Sequence, residues 1–146
     1  MFHYLRLKIG ENLPDLSDLR PFAAIVVIDE KSDQAWQSKV SAWLVASGCH
    51  YALTWGEQCE AWHDAIDWAS IDYFTMTQKS DFFVMTSWHA KEPLEDVFFF
   101  AKRCAVPVGQ RAILENTVLL HLSKKDRGEE FRNCSQRPDQ PNWLAF

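Results

Sequence analysis

Three apolar runs rich in β-branched residues constrain this chain more than any other feature of its sequence. They span residues 23–29 (AAIVVID), 82–86 (FFVMT) and 117–123 (TVLLHLS). Runs that are apolar on both faces are typical of strands inside a parallel sheet with helices on each side. A more mixed segment, residues 50–55 (HYALTW), predicts a fourth strand nearer an edge. The alternating HYLRLKI near the N-terminus predicts an edge strand.

Helical patterns separate these strands. Apolar stripes at helical spacing occur in three segments, with members Trp36, Val40, Trp43 and Leu44, then Cys59, Trp62, Ile66, Ala69 and Tyr73, then Leu94, Val97, Phe98 and Ala101. The alternation predicts an α/β three-layer sandwich with a mostly parallel sheet of four or five strands, Rossmann-like or flavodoxin-like. Numbering the four inner strands along the chain, we expect the order 2-1-3-4. Residues 1–132 form a single domain in this prediction, and residues 133–146 form a tail that is loosely ordered or docked on a partner chain.

Composition excludes several classes of protein. A net charge of −5 and a pI near 5.5 argue against nucleic-acid binding, which requires a basic face. No apolar run approaches the roughly 18 residues that a membrane span needs. The four cysteines show no C-x-x-C pairing, and without a signal peptide they predict reduced thiols in a cytoplasmic protein. Of the seven tryptophans, four fall on the predicted helices at spacings that suit packing in the core, namely Trp36, Trp43, Trp62 and Trp68, and an excess of them on one face would instead mark a homodimer interface.

Known phosphate and acyl motifs are missing where this fold would carry them. The loop after the first apolar run, DEKSDQAW, has no glycine, so it forms neither a dinucleotide-binding turn nor a P-loop. No phosphoacceptor aspartate follows the FFVMT run, which excludes a phospho-receiver domain. No G-x-S-x-G elbow of an α/β hydrolase is present.

The strand ends nevertheless carry polar and aromatic side chains. Doubly wound sheets bind ligands at the carboxyl ends of their strands, where the strand order reverses. The residues predicted to meet at this edge are Asp29, Glu30, Trp55, Trp88, His89 and Glu92. With the order 2-1-3, Trp55 and Trp88 would stand roughly 10 Å apart as two walls over a carboxylate floor, which suits a ring-shaped ligand. His89 would act as general acid or base, and Glu92 would orient it.

Two alternatives stay open at this point. Pro93 at a first helical position would make Glu92 a helix cap and Glu95 its capping-box partner. On the second helix, Cys59, His63 and Asp67 follow one another at a spacing of four, which permits a thiol–imidazole pair or half a zinc site. The second site lacks further ligands and a feature that would lower the thiol pKa, so no metal site is predicted and a cofactor stays unknown.

Four segments resemble a known group of proteins. They are HYLRLKIGENLPDL, PFAAIVVIDE, WLVASGCHYALTWG and MTSWHAKEPLEDVFFFAKRCA. They are similar to a small bacterial family of unknown function, whose members have a Rossmann-like single domain and occur in mobile, integron-type gene cassettes. The resemblance extends to about Ser123. It implies the fold and brings no catalytic assignment.

Two functions from different classes follow. The first is binding of a small ring-containing ligand at the carboxyl ends of the parallel strands, with acid–base chemistry at His89. The second is a non-enzymatic adaptor that meets a partner through its acidic second helix or its tail. No Lys or Arg lies between Lys39 and Lys79, whereas five Asp and Glu residues do.

Overall fold

The computed structural model describes residues 1–78, 83–103 and 114–136. The strands are β1 (Phe2–Leu7), β2 (Phe22–Ile28), β3 (Cys49–Gly56), β4 (Met85–His89) and β5 (Asn116–Leu122). The helices are α1 (Gln34–Ala46), α2 (Cys59–Thr77), α3 (Leu94–Arg103) and α4 (Gly128–Ser135), with a 3-10 turn at Ser17–Leu19. The strands form one parallel sheet in the order β1-β5-β2-β3-β4.

The central strand β2 shows why the chain builds three layers. All seven of its residues are buried. Because side chains alternate along a strand, Ala24, Val26 and Ile28 pack with α1 and α2, while Ala23, Ile25 and Val27 pack with α3 and α4. The prediction of a three-layer α/β sandwich with an N-terminal edge strand is confirmed.

The predicted order of the inner strands is wrong. The strand from TVLLHLS (β5) lies beside β2, and the strand from the FFVMT region (β4) lies at the sheet edge beyond β3. The composition of the strands that form gives the physical reason. β4 consists of Met85–His89 and contains Thr86 and Ser87, and its residues from Met85 to Trp88 stay exposed or half-buried, as an edge position allows. β5 is mostly apolar and is buried continuously from Val118 to Leu122. The first residue of that apolar run, at position 82, lies outside the described residues.

A side-chain hydrogen bond begins α1, and a glycine follows its end. The sequence places two residues that can cap a helix side by side, Ser32 and Asp33; the carboxylate of Asp33 accepts the Trp36 N–H at 2.8 Å and begins α1. Gly48, at φ +103°, follows the end of this helix, as expected for a glycine in the left-handed region. α4 runs from Gly128 to Ser135 and so crosses the expected domain boundary at residue 132.

Tryptophan packing also departs from expectation in one place. Trp36 and Trp62 are buried, and the indole N–H of Trp43 donates to the Pro14 carbonyl at 2.8 Å. Trp68, however, is 67 % exposed on α2, because it lies off the stripe formed by Trp62 and Ile66. Within the described ranges, the helices are too short or too polar to cross a bilayer.

Candidate functional site

Alternation along the edge strand β4 decides which side chains can meet. Ser87 pairs with Leu53 and His89 with Trp55, so both point to the face covered by α3. Thr86 and Trp88 therefore point to the opposite face, toward α2. Adjacent residues Trp88 and His89 cannot line the same pocket wall.

A hydrogen-bonded chain centres on His89. Its Nε2 lies 2.8 Å from the Ser87 hydroxyl, and its Nδ1 lies 3.0 Å from Oε1 of Glu92. The imidazole is only 6 % exposed, and its ring meets Phe100 edge-on at 5.6 Å. Glu92 is therefore in contact with His89, and its role in orienting the ring stays a prediction.

Trp55 completes this group. Its indole N–H donates to the backbone carbonyl of Glu92 at 2.7 Å, which ties the loop after β4 to the end of β3. We call Trp55, Ser87, His89 and Glu92 the His89 cluster. It contains three of the six residues expected at the strand ends, together with Ser87, which the sequence interpretation missed.

Trp88 belongs to a different environment. Its ring meets His63 of α2 at 4.7 Å, and it stays 47 % exposed. His63 also contacts Asp64 at 3.0 Å and Asp67 at 3.5 Å. Asp67 further accepts the Thr86 hydroxyl at 2.6 Å. His63 and Asp67 therefore interact as their spacing predicts.

Cys59, the third residue of this predicted group, is the first residue of α2. It is buried, and its backbone carbonyl accepts the Thr54 hydroxyl at 2.7 Å. Over the ranges that the structure describes, no three His, Cys, Asp or Glu side chains converge closely enough to hold a metal ion.

Asp29 and Glu30 lie away from the His89 cluster, because β3 separates β2 from β4. Asp29 Oδ2 is 2.6 Å from Nε2 of His121 on β5. Glu30 Oε1 accepts the backbone N–H of Lys124 at 3.0 Å. The expected six-residue site is therefore divided among three environments.

His121 anchors a second polar group, formed by Tyr4, Asp29 and His121, which we call the His121 cluster. The His121 side chain is fully buried, with its Nδ1 2.7 Å from the Tyr4 hydroxyl. That hydroxyl also accepts the Arg127 backbone N–H at 3.0 Å. The geometry fits Tyr4 donating to Nδ1 and Nε2–H donating to Asp29, an assignment that gives every buried group a partner.

Burial raises the pKa of Tyr4 above its ordinary value, so its hydroxyl keeps the proton at neutral pH. Sequence interpretation missed this cluster. The available signal was one histidine inside the apolar run TVLLHLS, a residue that needs a buried partner.

The two clusters differ in what they can do. The His121 cluster joins β1, β2, β5 and the start of α4 through a fully buried histidine, which is a structural arrangement. The His89 cluster presents a half-buried hydroxyl, an imidazole and a carboxylate in series at the open edge of the sheet. This is the order of groups that activates a hydroxyl for proton transfer.

Sequence comparison finds one related family. A family described as a domain of unknown function (DUF7684) matches residues 2–138. No curated protein and no solved structure matches the chain.

Proposed function

Since the chain belongs to the family of the domain of unknown function DUF7684, we propose from its geometry that it binds a small ring-containing molecule at the carboxyl ends of β3 and β4. His89 supplies acid–base chemistry to that molecule. The proposed setting is the cytoplasm, which the cysteine pattern predicts, of a bacterium, which the resemblance to gene-cassette proteins implies.

One observation carries this proposal: both ring nitrogens of a nearly buried histidine are engaged, one by a hydroxyl and the other by a carboxylate. A carboxylate that accepts from Nδ1–H fixes the tautomer and leaves Nε2 as a base. It also stabilises the imidazolium that forms when Nε2 takes a proton. His121 has a similar pair of partners inside the sheet, and the His89 cluster differs from it because Ser87 is half-buried and lies on the edge strand β4.

The position in the fold supports the same proposal. The helix that follows β3 packs on one face of the sheet, and the helix that follows β4 packs on the other. Divergence of successive helices opens a crevice at the carboxyl ends of parallel strands, where α/β proteins bind ligands. Trp55 and Phe100 give this edge an aromatic character that suits a ring.

A thermal-shift screen of small metabolites and divalent metals tests the proposal. A ligand present at 100 times its Kd stabilises the folded state by about 2.7 kcal/mol. For a domain of this size, that raises Tm by roughly 8–10 °C. The shift should disappear in His89→Ala and persist in His63→Ala, a matched histidine variant on the other face of β4. A screen without stabilising compounds, or a shift that His89→Ala retains, contradicts the proposal.

A second candidate function follows from the outer surface of α1 and α2. A groove of about 680 Å³ lies between these helices, with Trp68 and Met76 on its lining. These two side chains are 67 % and 84 % exposed. Asp64 and Asp72 line the same groove. Exposed aromatic and methionine side chains next to carboxylates suit a basic amphipathic helix of a partner protein.

Charge favours a basic partner over a second copy of this chain. No Lys or Arg occurs from residue 40 to residue 78, so a homodimer through this groove would bring carboxylates together. The C-terminal tail is the other surface through which an adaptor was expected to bind its partner. Its residues 137–146 lie outside the described part of the chain. A basic peptide therefore remains the occupant that the groove fits best.

Peptide binding measured by fluorescence anisotropy tests this second candidate. A synthetic Leu/Lys peptide with helical apolar spacing should bind more tightly than a scrambled peptide of the same composition. Trp68→Ala should weaken binding by about 2 kcal/mol, or roughly 30-fold, whereas Trp88→Ala should leave it unchanged. Equal binding of the two peptides, or a homodimer that Trp68→Ala dissociates, would count against a basic helical partner.

A further inference from the structure

We propose that Ser87 is a nucleophile and that the His89 cluster hydrolyses small carboxylic esters of aromatic alcohols. This inference rests on the proposed function, because it assigns a reaction and a substrate class to the same site. It goes further in giving Ser87 a covalent role.

The geometry of Ser87 supports this role. Ser87 and His89 lie two residues apart on one strand, so their side chains point to the same face and meet at 2.8 Å. Ser87 is half-buried and is not enclosed by the core. Nucleophile, base and orienting carboxylate follow in the order that serine-dependent acyl transfer requires.

The reaction balances with water as the second substrate. As the Ser87 oxygen bonds to the ester carbonyl carbon, its proton passes to Nε2 of His89. The carbon–oxygen bond to the aromatic alcohol then breaks, and the imidazolium returns the proton to the leaving oxygen. Water then attacks the carbonyl carbon of the acyl-serine and gives a proton to Nε2 of His89. The bond between that carbon and the Ser87 oxygen breaks, the imidazolium returns the proton to Ser87, and the carboxylic acid leaves.

Two neighbouring features fit the remaining requirements. β4 is the edge strand of the described sheet, so backbone N–H groups on its outer side have no strand to pair with. Such donors are suited to the oxyanion that forms during acyl transfer. The aromatic rings of Trp55 and Phe100, one bonded to Glu92 and the other against His89, favour an aromatic leaving group.

Hydrolysis of p-nitrophenyl butyrate and labelling by a fluorophosphonate, mapped by peptide mass spectrometry, test the inference. Wild type should turn over the ester and carry the label on Ser87. Ser87→Ala should abolish labelling at this position and lower kcat/KM about 100-fold or more. Glu92→Gln should lower kcat more than it changes KM, because it removes the group that stabilises the imidazolium. Thr86→Ala, which removes the neighbouring hydroxyl on the opposite face, should retain activity.

The controls separate this inference from the proposed function. Circular dichroism and Tm must show that Ser87→Ala is folded, and the conservative Ser87→Thr gives a second folded variant that keeps the hydroxyl. The assignment of Ser87 as the nucleophile is overturned if Ser87 carries no label and if wild type and Ser87→Ala hydrolyse the ester equally. If a compound from the thermal-shift screen still stabilises wild type in an His89-dependent manner, ligand binding survives that result. If no compound does so, both proposals fail.

Discussion

The His121 cluster offers a sharp test of how this fold is held together. In Tyr4→Phe, the hydroxyl that donates to His121 Nδ1 and accepts from the Arg127 backbone N–H is removed. Nδ1 of the fully buried His121 then lacks a partner, which costs about 1–3 kcal/mol. Arg127 is half-buried, so its N–H can bond to water instead and adds less than about 1 kcal/mol. The expected loss is therefore about 1–4 kcal/mol.

Urea unfolding followed by tryptophan fluorescence measures this loss directly. The midpoint should fall without a change in the m-value, because the surface exposed on unfolding is the same. In a thermal melt, the same loss lowers Tm by roughly 3–13 °C for a domain of this size. Combining Tyr4→Phe with His121→Leu should cost at least about 1 kcal/mol less than the sum of the two single changes.

That non-additivity is the decisive control. A change of less than about 0.5 kcal/mol for Tyr4→Phe would refute the argument, because it is the size of an ordinary surface substitution. Strict additivity with His121→Leu would refute it equally, since two groups that share a hydrogen bond must couple.

Three further predictions concern single positions. Asp33→Ala should destabilise the protein by about 0.5–2 kcal/mol in urea unfolding, because the N-cap bond to Trp36 is lost. Gly56→Ala should prevent soluble expression or lower Tm steeply, because the residue has φ +105° and its Cβ would meet the Ile28 carbonyl oxygen at 2.3 Å. Burial raises the pKa of Cys49 from 9.0 to about 12, so above pH 9 the unfolded chain releases a proton that the folded chain retains. The free energy of unfolding, measured from pH 8 to pH 11, should therefore decrease by up to about 1.4 kcal/mol per pH unit more in wild type than in Cys49→Ala.

The sequence predicts the three layers of the fold better than the order of the strands within the sheet. The seven apolar residues of β2 predict burial on both faces, and the structure shows it. Nothing in the FFVMT and TVLLHLS runs states which of them lies beside β2, because both are apolar and β-branched residues favour any inner position. Only the exposure of Met85 and Trp88 distinguishes the edge strand, and exposure is a product of the assembled fold.

The candidate site shows the same limit and one missed inference. The contact between His89 and Glu92 joins residues that are close in sequence, so proposing it did not require the strand order. Strand alternation would also have placed Ser87 beside His89 and Trp88 on the opposite face. Asp29 could not be assigned correctly without the strand order, because its partner, His121, is distant in sequence.

The position of β1 has a consequence for the order of folding. Among the described strands, β1 pairs with β5 alone, so its register partners are more than one hundred residues ahead in the chain, and Tyr4 and His121 are 117 residues apart. At about 5–20 residues per second, a ribosome needs roughly 6–23 s to add that length. During synthesis, β1 therefore stays unpaired while β2, β3 and the helices that follow them are synthesised and can already pack together. Its docking, together with closure of the buried histidine, is a late and non-local event of the kind that slows folding.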